Sequence, residues 1–185
     1  MRKLFGGMVL AAVALSLPAS AQAQRRAAAP ASSAKHEFGV DIGIAYVKPD
    51  GVDGGIAIQT PLDVRVGFVT PKSMMWEPRL GLSFASVGGT TVYTFQPGVN
   101  VLFSNSTGGH RRGMYFTGGG GVLLADLGGG SGSAFSVNAG VGWRKPFGSA
   151  AWRYEVGFKW TSESTDLGLP STIEIGGRVG ISLWH

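Results

Sequence analysis

The chain has 185 residues, no cysteine, 31 glycines and 15% charged residues; that is the length of one domain, and the missing thiols exclude a disulfide framework or a thiolate metal site. The formal charge of +5 invites a nucleic-acid reading, but Arg2, Lys3, Arg25, Arg26 and Lys35 all precede residue 36, leaving 11 basic against 11 acidic residues in 36–185. A neutral folded part offers phosphates no concentrated cationic face, so no nucleic-acid partner is expected.

Residues 1–23 read as an export signal, with Arg2 and Lys3 ahead of the apolar run Leu4 to Leu17 and a small-residue cleavage site at Ala21-Gln22-Ala23. That run is too short for the ~20 residues of a membrane-spanning helix, and no later stretch exceeds it. A membrane protein built from this chain is therefore expected to be a barrel. Residues 24–35 lack apolar periodicity and read as a flexible leader; the Arg25-Arg26 pair follows the apolar run and so is not a twin-arginine signal.

From residue 36 the pattern has a period of two, the mark of a strand with unlike faces. The first strand sets Phe38, Val40, Ile42, Ile44 and Tyr46 against Gly39, Asp41, Gly43 and Ala45, and ends at Lys48-Pro49-Asp50-Gly51. The second sets Leu62, Val64, Val66 and Phe68 against Asp63, Arg65 and Gly67. The third sets Trp76, Pro78, Leu80, Leu82 and Phe84 against Glu77, Arg79, Gly81 and Ser83, and the fourth sets Tyr93, Phe95, Pro97, Val99, Val101 and Phe103 against Thr94, Gln96, Gly98 and Asn100. A hairpin turning about Val87-Gly88 would place Pro78 opposite Pro97, so that one kink serves both prolines. In the fifth strand, Met114 to Ala125, the phase of Met114, Phe116, Val122 and Leu124 is interrupted by Gly118 to Gly121. The sixth sets Phe135, Val137, Ala139, Val141 and Trp143 against Ser136, Asn138, Gly140, Gly142 and Arg144. The seventh, Trp152 to Trp160, alternates throughout, with Arg153, Glu155, Gly157 and Lys159 between its large residues. At about 3.3 Å per residue and a tilt of about 40° it rises roughly 20 Å, near the apolar band of an outer-membrane strand. The eighth sets Ile173, Ile175, Gly177, Val179, Ile181 and Leu183 against Glu174, Gly176, Arg178, Gly180 and Ser182.

Eight strands with hairpin-length connections predict an all-β fold, an eight-stranded antiparallel up-and-down transmembrane barrel in which the eighth strand closes on the first. A soluble lipocalin-like ligand-binding barrel has the same alternation turned inside out. Three features favour the membrane form. Aromatics end the apolar faces: Phe38 and Tyr46, Trp76 and Phe84, Tyr93 and Phe103, Trp152 and Trp160, as interface girdles require. The polar face is rich in glycine, which suits a narrow lumen. Its charges balance, Glu37, Asp41, Asp63, Glu77, Glu155 and Glu174 against Arg65, Arg79, Arg144, Arg153, Lys159 and Arg178, as a buried network demands. Pairs are expected between neighbouring strands, among Arg144, Glu155, Lys159, Glu174 and Arg178.

An export signal, eight alternating strands and a strand at the C-terminus together resemble the small outer-membrane barrels of the OmpA and OmpX type, over about residues 36–185. The resemblance implies a monomer in the bacterial outer membrane, in contact with lipid and lipopolysaccharide, inserted by the barrel-assembly machinery and carrying no cofactor. Members usually end in an aromatic residue on the lipid-facing phase, whereas here that phase arrives at His185 and Trp184 stands one place early. With both termini in the periplasm, external loops fall at about 48–60, 86–91, 126–133 and 162–171, carrying Asp50, Asp53, Asp126, Glu163 and Asp166 against Lys48. Lys72, His110, Arg111, Arg112 and Lys145 fall in periplasmic turns. His36, His110 and His185 all map to the periplasmic end, away from where the hydrolytic barrels of this kind carry their histidine, and two terminal imidazoles without a third ligand do not make a metal site. The glycine clusters 118–121 and 128–130 lack the Lys-Ser/Thr end of a phosphate loop and read as barrel bends and loop. The expected function is that of a non-enzymatic barrel, structural or interacting through its external loops, with a lumen filled by charges. A narrow porin-like channel is the alternative.

Overall fold

A computed structural model describes residues 35–51, 53–70, 73–87, 90–104, 110–126 and 131–185. The export signal and residues 24–34 of the leader, Arg25-Arg26, Lys72 and the glycine cluster 128–130 lie outside the described residues. The strands are β1 His36–Pro49, β2 Gly55–Thr70, β3 Met74–Val87, β4 Thr90–Ser104, β5 Gly113–Asp126, β6 Ser131–Phe147, β7 Ala150–Thr161 and β8 Thr172–Trp184. Each pairs antiparallel with its sequence neighbours, and β8 closes on β1 along thirteen residue pairs from Glu37↔Trp184 to Pro49↔Thr172.

The register fixes the size of the barrel. Stepping across from Gly39 through Arg65, Arg79, Gly98, Gly121, Ser136, Thr161 and Thr172 returns to β1 at Pro49, a stagger of ten residues. With ~3.3 Å per residue and ~4.8 Å between eight strands, that stagger tilts the strands by about 40° and leaves a lumen only wide enough for side chains. The alternation then decides what faces where. The apolar phase is on the outside, with Ile42 62%, Val156 61% and Ile175 57% exposed, while the charges Glu37, Arg65 and Glu77 are 0% exposed inside. This orientation is the reverse of a lipocalin-like barrel.

Three details of the sequence reading change. The first outer connection is residues 50–54, because β2 begins at Gly55 and pairs Ile56 with Tyr46 and Ile58 with Ile44. Pro61 hid this stretch. The ladder accommodates it by setting Thr60, Pro61 and Leu62 opposite the single Ile42, a bulge in which proline's missing donor is harmless. Pro78 pairs with Val99 and Pro97 with Leu80, two residues from the expected opposition. Where β4 meets β5 the pairing passes from Phe95 to Gly98 and skips Pro97. Gly118 to Gly121, which interrupt the apolar phase, do not interrupt the ladder and stay paired on both sides. Lys145 belongs to β6, paired with Trp152, rather than to a turn.

Candidate functional site in the lumen and at the rims

The charged side chains pair both with neighbours along the wall and across the lumen. Arg65 stands in register with Arg79, Arg144 with Arg153 and Asp41 with Asp63, so like charges are adjacent on the sheet. Such neighbours repel unless opposite charges are inserted between them. Diagonal neighbours on the adjoining strand and side chains from the facing wall supply those. Arg65 ion-pairs with Glu37 and donates from Nε to Asp41 at 2.8 Å. Arg144 reaches Glu37 at 2.7 Å, and Arg153 ion-pairs with Glu77 and donates to Glu155 at 2.6 Å. Arg79 lies 3.0 Å from Asp41 and 2.9 Å from Asp63. The expected neighbour pairs Lys159 with Glu174, at 2.8 Å, and Arg178 with Glu155, at 3.7 Å, stand across β7 and β8. Arg144 is the exception among the five, because an arginine is long enough to cross an eight-stranded lumen.

Glycines seat these long side chains. A Cβ on Gly39 would fall on the Arg65 guanidinium, one on Gly180 on the Asp41 carboxylate and one on Gly142 on the Tyr115 ring. Tyr115 itself was not singled out in the sequence, although it interrupts the small residues of the inward phase of β5. It is fully buried, accepts from Arg153 Nε at 2.5 Å and donates to Glu155 at 3.0 Å. Arg144 and Arg153 lie 4.6 and 4.8 Å from its ring centre. Asn100 and Thr117, also buried, continue the polar layer.

The end of the barrel where β1 begins and β8 ends is closed by Met75, Leu102, Tyr115 and Trp184, with Val69 packed against them. Trp184 thus points inward and lies over Arg144, while Leu183 is the last outward residue of β8 and His185 is exposed beyond it. His36 and His185 exchange backbone hydrogen bonds of 3.2 and 3.1 Å, and the His36 ring stands edge-on to Phe68. His110 Nδ1 is 3.1 Å from Ser104 Oγ, and its carbonyl accepts from Arg144 at 2.9 Å. Burial first and the Arg144 guanidinium second hold the His110 imidazole below its ordinary value, with Glu37 pulling the other way.

Towards the opposite end, the mouth, glycines line the wall: Gly157 pairs with Gly140 on one side and Gly176 on the other. A cavity of about 30 Å³ bounded by Lys159, Glu174 and Arg178 has room for a water or two. The connection from β7 to β8 folds back on itself through Ser164 and Leu169, and buries Leu167 against Gly132 of β6. No periodicity announces such a contact.

Outside, Phe38, Tyr46, Trp76, Tyr93, Phe103 and Trp152 are 38–61% exposed, and Trp160 is half-buried. Phe84 pairs with Tyr93, but its side chain is not among those described. Phe68, Phe116, Trp143 and Phe147 are further exposed aromatics on the outward face.

No protein-family model matches the chain, and no curated protein matches it in sequence. Solved structures match it in fold. Neisserial surface protein A aligns at 12% identity over 82% of this chain and 97% of its own, with a TM-score of 0.52. The N-terminal β-barrel domain of OprF from Pseudomonas aeruginosa aligns at 10% identity, over 78% and 97%, with a TM-score of 0.45, and Ail, the attachment invasion locus protein of Yersinia pestis, at 11%, over 81% and 97%, also with 0.45. The likeness to Neisserial surface protein A is one of fold: this chain is a closed eight-stranded antiparallel barrel, as that protein is.

Proposed function

We propose that the chain is a non-enzymatic, monomeric barrel of the bacterial outer membrane. In this reading residues 1–23 export it, the barrel-assembly machinery inserts it with both termini in the periplasm, and lipid and lipopolysaccharide surround it. Its role is structural or exercised through the external loops. The observation that carries the reading is the inverted distribution of polarity, with large apolar residues outside and six acids facing six bases inside. An apolar band running round a whole barrel far exceeds the few hundred Å² that a soluble monomer exposes, whereas acyl chains cover it without cost. Arg65, Glu77 and Arg153, at most 1% exposed, support a closed lumen over a channel. Cell fractionation combined with heat-modifiable gel migration tests the proposal. The protein is expected in the outer-membrane fraction, migrating faster unheated than boiled. A detergent-free soluble protein with no heat shift would sink it.

A further inference from the structure

The outward face of β8 runs Ile173, Ile175, Val179, Ile181 and Leu183 with one gap in the row, at Gly177. Packing does not demand that gap. A Cβ on Gly177 would meet nothing nearer than the Glu155 carbonyl oxygen at 3.7 Å, an ordinary contact, and the residue has no positive φ. Its neighbour Gly176 differs, because a Cβ there would be driven into Ile44 and Ala45. Glycine weakens a strand, so where a larger residue would fit, the space is what the glycine provides. Ile44 and Val156 flank it in register, 54% and 61% exposed, and wall an apolar furrow of about 530 Å³ that runs to Trp143 and Tyr154.

Cations stand at the terminal end of that furrow. Beyond Trp143, the next outward residue of β6 is Lys145, exposed and paired with Trp152, whose ring packs 5.5 Å from that of Phe147. Arg111 arrives from the connection between β4 and β5 and donates to the Gly148 carbonyl at 3.3 Å, next to the same hairpin. Among the described residues outside the lumen, this end carries Lys35, Arg111, Arg112 and Lys145 and no aspartate or glutamate.

We propose that the Gly177 furrow together with Lys145 and Arg111 is a binding site for one anionic phospholipid of the periplasmic leaflet, its phosphate held by the two cations and an acyl chain lying in the furrow. The inference rests on the membrane reading above. Its dimensions agree. Lys145 is four residues from Val141, a furrow residue, hence about 13 Å along the strand and roughly 10 Å along the barrel axis, within the ~15 Å of hydrocarbon in one leaflet. Aromatic rings beside the cations suit the boundary between headgroup and chain.

The test uses the full mature chain refolded into vesicles of equal phosphatidylglycerol and phosphatidylcholine with identical acyl chains. Lipid retained after gentle detergent extraction is counted by native mass spectrometry. The wild type is expected to keep one phosphatidylglycerol in preference to phosphatidylcholine, by about fivefold for each cation. Lys145→Gln with Arg111→Gln should bring the ratio near parity. Gly177→Leu, which fills the furrow, should reduce retention of both lipids, and Lys48→Gln at the mouth should leave the ratio as in the wild type. A protein that neither inserts nor shifts on heating refutes the membrane reading and the site with it. An inserted, heat-modifiable barrel whose wild-type ratio is already at parity, or whose ratio ignores Lys145 and Arg111, overturns the site alone.

Discussion

Arg153 is 1% exposed and sits beside Arg144 on the wall, yet it is tolerated because Glu77, Glu155 and the Tyr115 hydroxyl converge on its guanidinium. Removing it would leave Glu77 buried without its principal partner, and breaking a buried pair in this way costs about 3–5 kcal/mol. Arg178 has a side chain 25% exposed and longer contacts to Asp63 and Glu155, so water can replace it. Urea unfolding in lipid vesicles should therefore show a large loss for Arg153→Ala and less than about 1 kcal/mol for Arg178→Ala. Equal losses would mean that exposure does not grade the network. His110 gives a pH test. A folded imidazole held below its ordinary 6.5 resists a proton that the unfolded chain accepts. Its stability contribution is thus intact above that range and is lost as the pH falls through it. His110→Gln should flatten the fall in urea midpoint between pH 8 and pH 5.5, and an unchanged slope would remove His110 as its source.

At the scale of the element, β8 shows how one residue of phase separates two environments. Trp184 closes the lumen and Leu183 faces outward. Trp184→Ala leaves a cavity among Met75, Leu102 and Tyr115 and is expected to cost about 3–5 kcal/mol, whereas on the proposed membrane reading Leu183→Ala should cost under about 1 kcal/mol because lipid would refill the space. Similar losses at the two sites, read from urea midpoints, would contradict the assigned faces. The alternation that separates these residues was legible in the sequence, as were all eight strands and the inward set of twelve charges. The partners were less so. Period and strand order give neighbours, and therefore Lys159 with Glu174, but they do not say that Arg144 crosses to Glu37 or that Tyr115 holds two arginines. Those contacts depend on the stagger, which only the register of all eight pairs defines. The bulge at Pro61 and the seat of Leu167 on Gly132 were hidden for a related reason, since each is an irregular contact without a period.

For the whole molecule, the ten-residue stagger sets two barriers in series along one narrow lumen. The lower is the apolar cluster of Met75, Leu102, Tyr115 and Trp184; the upper is the ionic layer of Arg65, Glu77 and Arg153. Either alone is enough to stop ions, because the first excludes water and the second fills the section with paired side chains. Wild-type protein in planar bilayers should accordingly show no large steady conductance, and Trp184→Ala should remain silent although it is destabilised. Trp184→Ala combined with Glu77→Ala and Arg153→Ala breaches both layers while removing one charge of each sign, so no new unpaired ion is left to block the path. That triple variant is expected to show brief openings in single-channel records. Steady conductance in the wild type, or in Trp184→Ala alone, would mean that the ionic layer rearranges to pass ions, and the channel reading would displace the closed barrel.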